Sequence, residues 1–368
     1  MTVTVLDCIE RVQPIVQNML DNRKEITKDL LQYLGKRVGE LDEIVLIGSG
    51  TSNTSAWTSR LAMEKMAKLR ITTILPNEFM YDRKRFNQNA LYIFTSQSGN
   101  SILTRECMRN LKKAGYLTCG ITEASTTDIG KEAGVHVDMS CGKEEYGCRT
   151  IGYCASVLTH MLIALEIGLA SGRLPQAEYD AYIADAYKVP QSHKAICEKT
   201  LAWYEANEKS LVNADCYVLY GAASLWGVAL EGALKIMEMA KRIAIGYELE
   251  DGLHGPTMAF NEKTCVIALD GGDPGSEKAL GCGEMAKSES GKGFIIGGKG
   301  FDSTDLSFDV VSNNFRSLEF APAVQILAYK LSQSLGIDLT APLAPQKKEY
   351  FALHDEPALS SIYSGDKE

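Results

Sequence analysis

Two short segments are rich in the small and hydroxyl-bearing residues that can hold an anion. One reads GSGTS (48–52) and the other TSQSGNS (95–101). Glycine lets the backbone approach a ligand closely, serine and threonine add hydroxyl donors, and a helix that starts after such a loop adds free N–H groups. Together they predict a phosphate site built without Lys or Arg, although each loop alone is also compatible with a turn and an N-cap.

A second group of candidates is charged. Glu231, Lys235 and Glu238 stand at positions i, i+4 and i+7 of a segment that is otherwise largely apolar. This spacing places all three side chains on one face of a helix that is suited to burial. The pattern is compatible with an exposed Glu–Lys stripe, and also with a carboxylate held in place for proton transfer.

A histidine completes the candidates for acid–base chemistry. His254 lies in LHGP (253–256), close to the acidic residues Glu248, Glu250 and Asp251. A histidine near a carboxylate is suited to proton transfer near neutral pH, although an ordinary loop histidine has the same surroundings. The other histidines are scattered and no two cysteines have C-x-x-C spacing, so we expect neither a metal nor a cofactor.

The elements that must position these residues alternate between strands and helices. Short apolar runs predict strands in the segments 43–50, 70–77, 90–98, 116–122, 135–141, 215–224, 264–272 and 292–300. Helical patterns lie between them and at 151–170 and 321–336. This alternation is typical of a parallel sheet covered on both faces.

The chain also carries a weak internal duplication. DCYVLYGAAS (215–224) repeats the pattern of DEIVLIGSGTS (42–52), which indicates two similar domains. We predict an α/β fold with two tandem three-layer domains, each a parallel sheet flanked by helices. The predicted organisation is a helical arm at 1–38, a first domain at 39–195, a second domain at 196–340 that follows a helical linker, and a tail at 341–368.

Composition excludes some partners. The chain of 368 residues has a net charge of -9, and an acidic surface repels nucleic acid. No apolar run reaches the ~18 residues of a membrane span, and the N-terminus lacks the pattern of a signal peptide. We therefore expect a cytoplasmic protein with no nucleic-acid or membrane partner, whose ten cysteines are reduced.

Six short motifs, taken in order along the chain, resemble those of the sugar isomerase (SIS) family. They are GSGTS, NEFMY (77–81), SQSGNS, EEYGCRT (144–150), EGALKIMEM and LHGP. The set is similar to the isomerase half of glucosamine-6-phosphate synthase, and to SIS-type deglycases and deaminases of amino-sugar phosphates. It covers nearly the whole chain, and the separation of Glu238 from His254 matches the family spacing. The resemblance implies that both predicted domains are SIS domains.

The resemblance also implies roles for individual residues. Glu238 would be the base that moves a proton between C1 and C2 of a sugar. His254, supplied by a neighbouring subunit, would open the sugar ring, and Lys235 would assist proton transfer or orientation. The residues that would hold the sugar phosphate are Gly50, Thr51, Ser52, Ser96, Gln97, Ser98 and Ser101.

Two positions bear on the group attached to the sugar. Lys347 matches the tail lysine that forms a Schiff base in the synthase. Arg149 stands where the synthase has a small residue, which implies that a different group is accommodated beyond the sugar. No glutaminase segment precedes these motifs, so we expect a substrate that already carries its amine, or one without an amine.

Three functions are compatible with this pattern. The first is a deglycase that releases an amine or amino acid from a 6-phosphorylated ketosamine or aminosugar conjugate. The second is an aldose–ketose isomerase or amino-sugar-phosphate deaminase, and the third is a non-catalytic sugar-phosphate sensor. Glu238 with His254 favours an enzyme, because binding alone needs no acid–base pair. We expect a homodimer or higher homo-oligomer with shared active sites, since a monomer would leave the apolar N-terminal helix partly exposed.

Overall fold

Two all-parallel sheets of five strands each organise the chain. The structure is a computed structural model, and it describes residues 3–82, 85–341 and 353. The strands of the first sheet are β1 (Glu43–Ile47), β2 (Arg70–Ile74), β3 (Ala90–Thr95), β4 (Leu117–Thr122) and β5 (Val135–Asp138). Their order is β2-β1-β3-β4-β5. The central strands β1, β3 and β4 are buried along their whole length, as expected for a sheet covered on both faces.

The second sheet repeats this topology. Its strands are β6 (Cys216–Gly221), β7 (Ile243–Glu248), β8 (Thr264–Asp270), β9 (Gly293–Gly297) and β10 (Leu306–Ser307). Their order is β10-β9-β8-β6-β7, which is the order of the first sheet when each is counted from its own first strand. In an open parallel sheet of this kind, ligands bind beyond the carboxyl ends of the strands where the order reverses. Those places lie between β1 and β3 and between β6 and β8.

Helices flank both sheets. They are α1 (Val5–Glu10), α2 (Val12–Asp21), α3 (Arg23–Leu34), α4 (Thr51–Ala67), α5 (Pro76–Tyr81), α6 (Ile102–Lys113), α7 (Asp128–Glu132), α8 (Ile151–Ala170), α9 (Gln176–Ala186), α10 (Lys188–Val212), α11 (Ser224–Lys235), α12 (Leu249–Leu253), α13 (Glu277–Ser290) and α14 (Arg316–Ser334). Successive residues of a strand enter different cores: Leu46 packs in one apolar cluster and Val45 in another. The predicted class, parallel α/β sheets flanked by helices, is confirmed.

Helix α8 is apolar enough in length and composition to cross a membrane. Within the described residues it alone passes that test, but 89% of its apolar window is buried inside the protein. It packs against α4, so its apolar length forms part of the core.

The expected exposure of the N-terminal helix is wrong. The apolar side chains of α1 and α2 are buried in the chain's own cores, as Cys8, Val12, Val16 and Met19 are all at most 2% exposed. The exposed large apolar side chains lie elsewhere, among them Met237, Ile243, Ile245 and Met258. The N-terminal helix therefore gives no reason to expect an oligomer.

The two sheets are linked by a helix pair that runs antiparallel. Thr54 of α4 donates a 2.5 Å hydrogen bond to Glu231 of α11. Lys235, one turn further along α11, donates a 3.0 Å bond to Thr51, nearly one turn back along α4. The C-terminal end of α11 therefore meets the N-terminal end of α4, where the first hydroxyl loop lies.

Candidate active site

A cavity of about 490 Å³ lies at the reversal point between β1 and β3. Both hydroxyl-rich loops contribute to it, as does the segment before α8. The lining residues are Ser49, Thr51, Ser52, Ser96, Gln97, Ser98, Asn100, Ser101, Gly147, Arg149, Gly152 and Ser156. Six of the seven predicted phosphate ligands are thus brought together, with Gly50 outside the lining.

Gly50 shapes the first loop instead. It precedes α4 with φ of +58° and ψ of -130°, a conformation that favours glycine. No side chain caps α4, so the loop leaves the N-terminal end of the helix to the cavity. The N–H groups of Ser52 and Asn53 donate to the carbonyls of Ser49 and Gly50, so the positive helix dipole and the Thr51 N–H are what favour a phosphate here.

The second loop is ordered by its own hydroxyls. Ser96 Oγ lies 3.0 Å from Ser101 Oγ, and no side chain caps α6 after Ser101. The backbone N–H of Ile102 donates to the carbonyl of Leu353 at 3.2 Å, so one described residue of the tail reaches this loop. Lys347, predicted to act in catalysis, lies outside the described residues.

Gln97 and Glu144 form a buried polar unit behind the second loop. The Glu144 carboxylate accepts hydrogen bonds from the backbone N–H groups of Ile151 (3.0 Å) and Gly152 (3.1 Å). It also accepts a bond from the Thr150 hydroxyl at 2.8 Å and one from Gln97 Nε2 at 3.2 Å. The positive end of α8 is therefore already occupied by a carboxylate, and the phosphate positions that remain are at α4 and α6.

This role of Glu144 was missed in the sequence, where it reads as one of two adjacent glutamates. No capping pattern marks it, because Glu144 lies seven residues before the first residue of α8, outside the N-cap and first-turn positions that such patterns use. Gly152 is also required here, since a Cβ at this position would come within 1.7 Å of Gln97 Oε1. Gln97 therefore contributes to the cavity wall with its amide nitrogen turned away toward Glu144.

The cavity also contains a cation that neither hydroxyl-rich loop supplies. Arg149 lines the cavity and is half-buried, with Nη1 donating a 3.1 Å hydrogen bond to the carbonyl of Glu144. Sequence spacing could not place it there, because Arg149 comes from the segment before α8 and not from either loop.

The charged residues of α11 meet the first loop. Lys235 and Glu231 are fully buried, whereas the Glu238 side chain is 29% exposed. Lys235 Nζ lies 2.6 Å from Glu238 and 3.2 Å from Glu231 Oε1, and it donates to Thr51 Oγ1. The expectation that all three lie on one buried helical face needs correction. Helix α11 ends at Lys235, and Ile236–Ala240 forms a π-helical turn.

Burial and charge set the ionisation of this trio. Burial raises the pKa of Glu231, and this outweighs the opposing effect of Lys235. Burial alone would lower the pKa of Lys235, but the Glu231 and Glu238 carboxylates together raise it. Lys235 is therefore held as an ammonium, with Glu238 as the partner that still reaches solvent. π-Helical turns occur frequently at functional sites.

His254 is not brought to this trio within one chain. Its side chain is 73% exposed, and its Nε2 lies 3.3 Å from Glu250 Oε1. It is absent from the described cavity lining and from the contacts of Glu238. The structure therefore unites the loops with Lys235 and Glu238, and leaves His254 on the surface.

Comparison with known proteins identifies the architecture. Residues 40–167 match the SIS domain model. The glutamine–fructose-6-phosphate aminotransferase (isomerizing) of Halalkalibacterium halodurans is 26% identical over 336 residues, which are 90% of this chain and 55% of that protein. The chain thus spans about half the length of the curated relatives it matches.

Two solved structures share the fold. A candidate phosphosugar isomerase from Clostridium difficile superposes with a TM-score of 0.87 at 22% identity, covering 96% of this chain and all of the other. The glucosamine-6-phosphate deaminase of Thermotoga maritima gives a TM-score of 0.68 at 21% identity, covering 88% and 96% of the two chains. The family resemblance of the sequence motifs is confirmed: the chain contains a SIS domain and is related to the isomerizing aminotransferases of fructose 6-phosphate.

Proposed function

We propose that this chain is a cytoplasmic phosphosugar enzyme that releases an amine or amino acid from a 6-phosphorylated ketosamine or aminosugar conjugate. The reaction proceeds by proton transfer between C1 and C2. The second sheet with its helices is, in this proposal, a second SIS domain.

One observation carries the proposal: a partly exposed carboxylate is held beside a cavity suited to phosphate. Glu238 reaches solvent, Lys235 fixes it at 2.6 Å, and the same ammonium donates to Thr51 in the phosphate loop. A base must lie within hydrogen-bond reach of both carbons it serves. Because the Lys235 side chain is fully buried, it acts by positioning Glu238 and the loop, without touching the substrate.

Water is the second substrate of the proposed reaction. With the phosphate at the α4 and α6 ends, Glu238 removes a proton from C1 of the ketosamine, and the electrons form the C1–C2 double bond of an enaminol. Return of the proton to C2 gives a C1 imine. Water adds at C1 and the C1–N bond breaks, which yields an aldose 6-phosphate and the free amine.

The names of the relatives and of one fold neighbour favour amine release. Its relatives are named as aminotransferases and one fold neighbour as a glucosamine-6-phosphate deaminase, and all handle nitrogen at a sugar phosphate. The second candidate is an aldose–ketose isomerase, because Glu238 can move the same proton without any amine. A sensor only binds the sugar phosphate and needs no base, so the Glu238–Lys235 arrangement disfavours that function.

We further propose a homo-oligomer in which His254 serves the site of a neighbouring subunit. His254 is exposed and makes no recorded contact with Glu238. Close to Glu238 in sequence, the apolar residues Met237 and Ile243 are 43% and 68% exposed, which supports a subunit contact there. Mixing inactive Glu238→Gln and His254→Ala chains should restore part of the activity. No recovery in mixtures shown to contain hybrid oligomers would contradict the shared site.

The function itself is tested by a product assay. The chain is incubated with 6-phosphorylated ketosamines, glucosamine 6-phosphate and fructose 6-phosphate, and free amine and hexose 6-phosphates are quantified. Amine release from the ketosamines supports the deglycase. Interconversion of hexose phosphates without amine release would establish the isomerase instead, and binding without any product would establish the sensor.

A further inference from the structure

Arg149 is the one charged side chain among the described residues that line the cavity. It is half-buried, so its guanidinium has already lost part of its water. The other lining residues are hydroxyl-bearing, amide-bearing or glycine. A lone cation in such a cavity points to an anionic group on the ligand.

The protein leaves most of this guanidinium's hydrogen-bonding capacity open. Of its five N–H donors, one has a recorded acceptor within the described chain, the Glu144 carbonyl at 3.1 Å. The nearby Glu144 carboxylate is not available as an ion-pair partner. It is already bonded to the first N–H groups of α8, the Thr150 hydroxyl and Gln97.

The phosphate does not need this cation. The ends of α4 and α6 have no side-chain caps, and the hydroxyls of Ser52, Ser96, Ser98 and Ser101 lie in the same cavity. Two helix ends with several hydroxyl donors can hold a phosphate without a cationic side chain. Arg149 comes from a third segment, before α8, so it lies beside these two loops and not within either.

We propose that Arg149 binds a carboxylate carried by the non-sugar part of the substrate. The substrate class is then the 6-phosphorylated ketosamine of an amino acid, in preference to that of a simple amine. This inference rests on the proposed function, and it adds that Arg149 determines specificity. A guanidinium fits a carboxylate through two parallel hydrogen bonds, which a lysine cannot reproduce.

A matched ligand pair tests this directly. N-(6-phosphofructosyl)glycine and N-(6-phosphofructosyl)methylamine differ by one carboxylate. Their affinities are measured by calorimetry in the Glu238→Gln background, with Arg149 intact, changed to Met, or changed to Lys. Arg149→Met should weaken the glycine conjugate about 10- to 100-fold, the loss expected for a charge-assisted hydrogen bond. It should leave the methylamine conjugate within about 3-fold.

Arg149→Lys should recover part of the loss, because it restores the charge without the planar fork. Lys65→Met, an exposed lysine outside this cavity, is the control and should change neither affinity. Equal weakening of both ligands by Arg149→Met would make Arg149 a phosphate ligand and overturn this inference alone. Failure of both ligands to bind the parent protein would overturn the proposed function together with the inference.

Discussion

The crevice between β1 and β3 and the crevice between β6 and β8 are built alike. In each, a strand ends in a glycine-led turn whose third residue has positive φ, +58° at Gly50 and +51° at Ala223, and a helix begins at the next residue. The second crevice also holds a cavity, of about 410 Å³. Its lining residues are Leu61, Ala62, Glu64, Lys65, Ala223, Ser224, Asp273, Asn313, Asn314 and Arg316.

The facing helices make the first difference. Since α4 and α11 run antiparallel, each crevice is faced by the C-terminal half of the helix that follows the first strand of the other sheet. With Gly48 equivalent to Gly221, the positions of Glu231, Lys235 and Glu238 correspond to Thr58, Ala62 and Lys65. The second crevice therefore has a lysine, Lys65, at the position that Glu238 occupies beside the first crevice.

The second loops make the other difference. By strand register, Asp270 takes the place of Ser96. Ser96 Oγ lies within hydrogen-bond distance of Ser101 Oγ, at 3.0 Å, whereas the Asp270 carboxylate accepts a hydrogen bond from the Ser276 hydroxyl at 3.0 Å. A carboxylate repels a phosphate where a hydroxyl would bind it. The duplicated fold thus supplies two crevices, and a few side chains distinguish the one that we propose to hold and process a phosphosugar.

The largest expected effect comes from removing the carboxylate that distinguishes the first crevice. Glu238→Gln should lower kcat by about 10²–10⁴-fold, the contribution of a general base. A phosphosugar should still raise the Tm of the variant, because the loops are unchanged. Lys65→Met, at the corresponding position of the second crevice, should keep wild-type kcat. Near-normal turnover in Glu238→Gln would show that the two crevices do not differ in the way described.

The next effect comes from giving the second loop of the first crevice the negative charge that Asp270 supplies in the second crevice. Ser96→Asp should raise KM for any phosphosugar by at least about 100-fold, because a charge–charge repulsion replaces a charge-assisted hydrogen bond. Ser96→Ala should have a smaller effect, and Asp270→Ser should leave KM unchanged. Isothermal titration with the phosphosugar checks all three, and similar affinities for Ser96→Asp and Ser96→Ala would refute the electrostatic explanation.

Lys235→Met should destabilise the protein by about 3–5 kcal/mol, since it leaves the buried Glu231 carboxylate without its cation. Adding Glu231→Gln should recover part of that stability by removing the uncompensated charge, yet kcat should stay low because Glu238 has lost its positioning partner. Urea unfolding and steady-state kinetics on both variants separate these effects. Full recovery of kcat in the double variant would reduce the role of Lys235 to stability alone.

The smallest effect concerns the shared turn. Ala223 adopts a conformation that costs a residue with a Cβ about 1–3 kcal/mol, so Ala223→Gly should stabilise the protein by roughly 1 kcal/mol after the entropy of glycine is counted. Gly50→Ala should be destabilising for the same reason. Thermal unfolding of the two variants is the measurement, and shifts of the same sign would show that the turns are not equivalent.

Much of the fold was predictable because buried parallel strands are continuous apolar runs. The segments chosen for β1 to β6, β8 and β9 contain the observed strands. Strand β7 was missed and taken partly as helix, since it lies at the sheet edge with Ile243 and Ile245 exposed and has no apolar run of its own. Strand β10 has only two residues, too few for any pattern.

The site was predictable where spacing along one element decides it, and not where distant segments meet. The two loops and the Glu231–Lys235–Glu238 group were found from spacing. The π-helical turn after Lys235 leaves no clear signal in the sequence. The entry of Arg149 into the cavity depends on how the segment before α8 is folded around Glu144, which one sequence does not reveal.

Deuterium exchange reports on the proposed transfer of a proton between sugar carbons by Glu238 in the first crevice. The wild-type protein is incubated in D₂O with a 6-phosphorylated ketosamine, and the recovered sugar phosphate is analysed by NMR and mass spectrometry. Deuterium is expected at the C1 or C2 position of the sugar phosphate with the wild-type protein and should be lost with Glu238→Gln. Exchange in Glu238→Gln at the wild-type rate would contradict the assignment of Glu238 as the base.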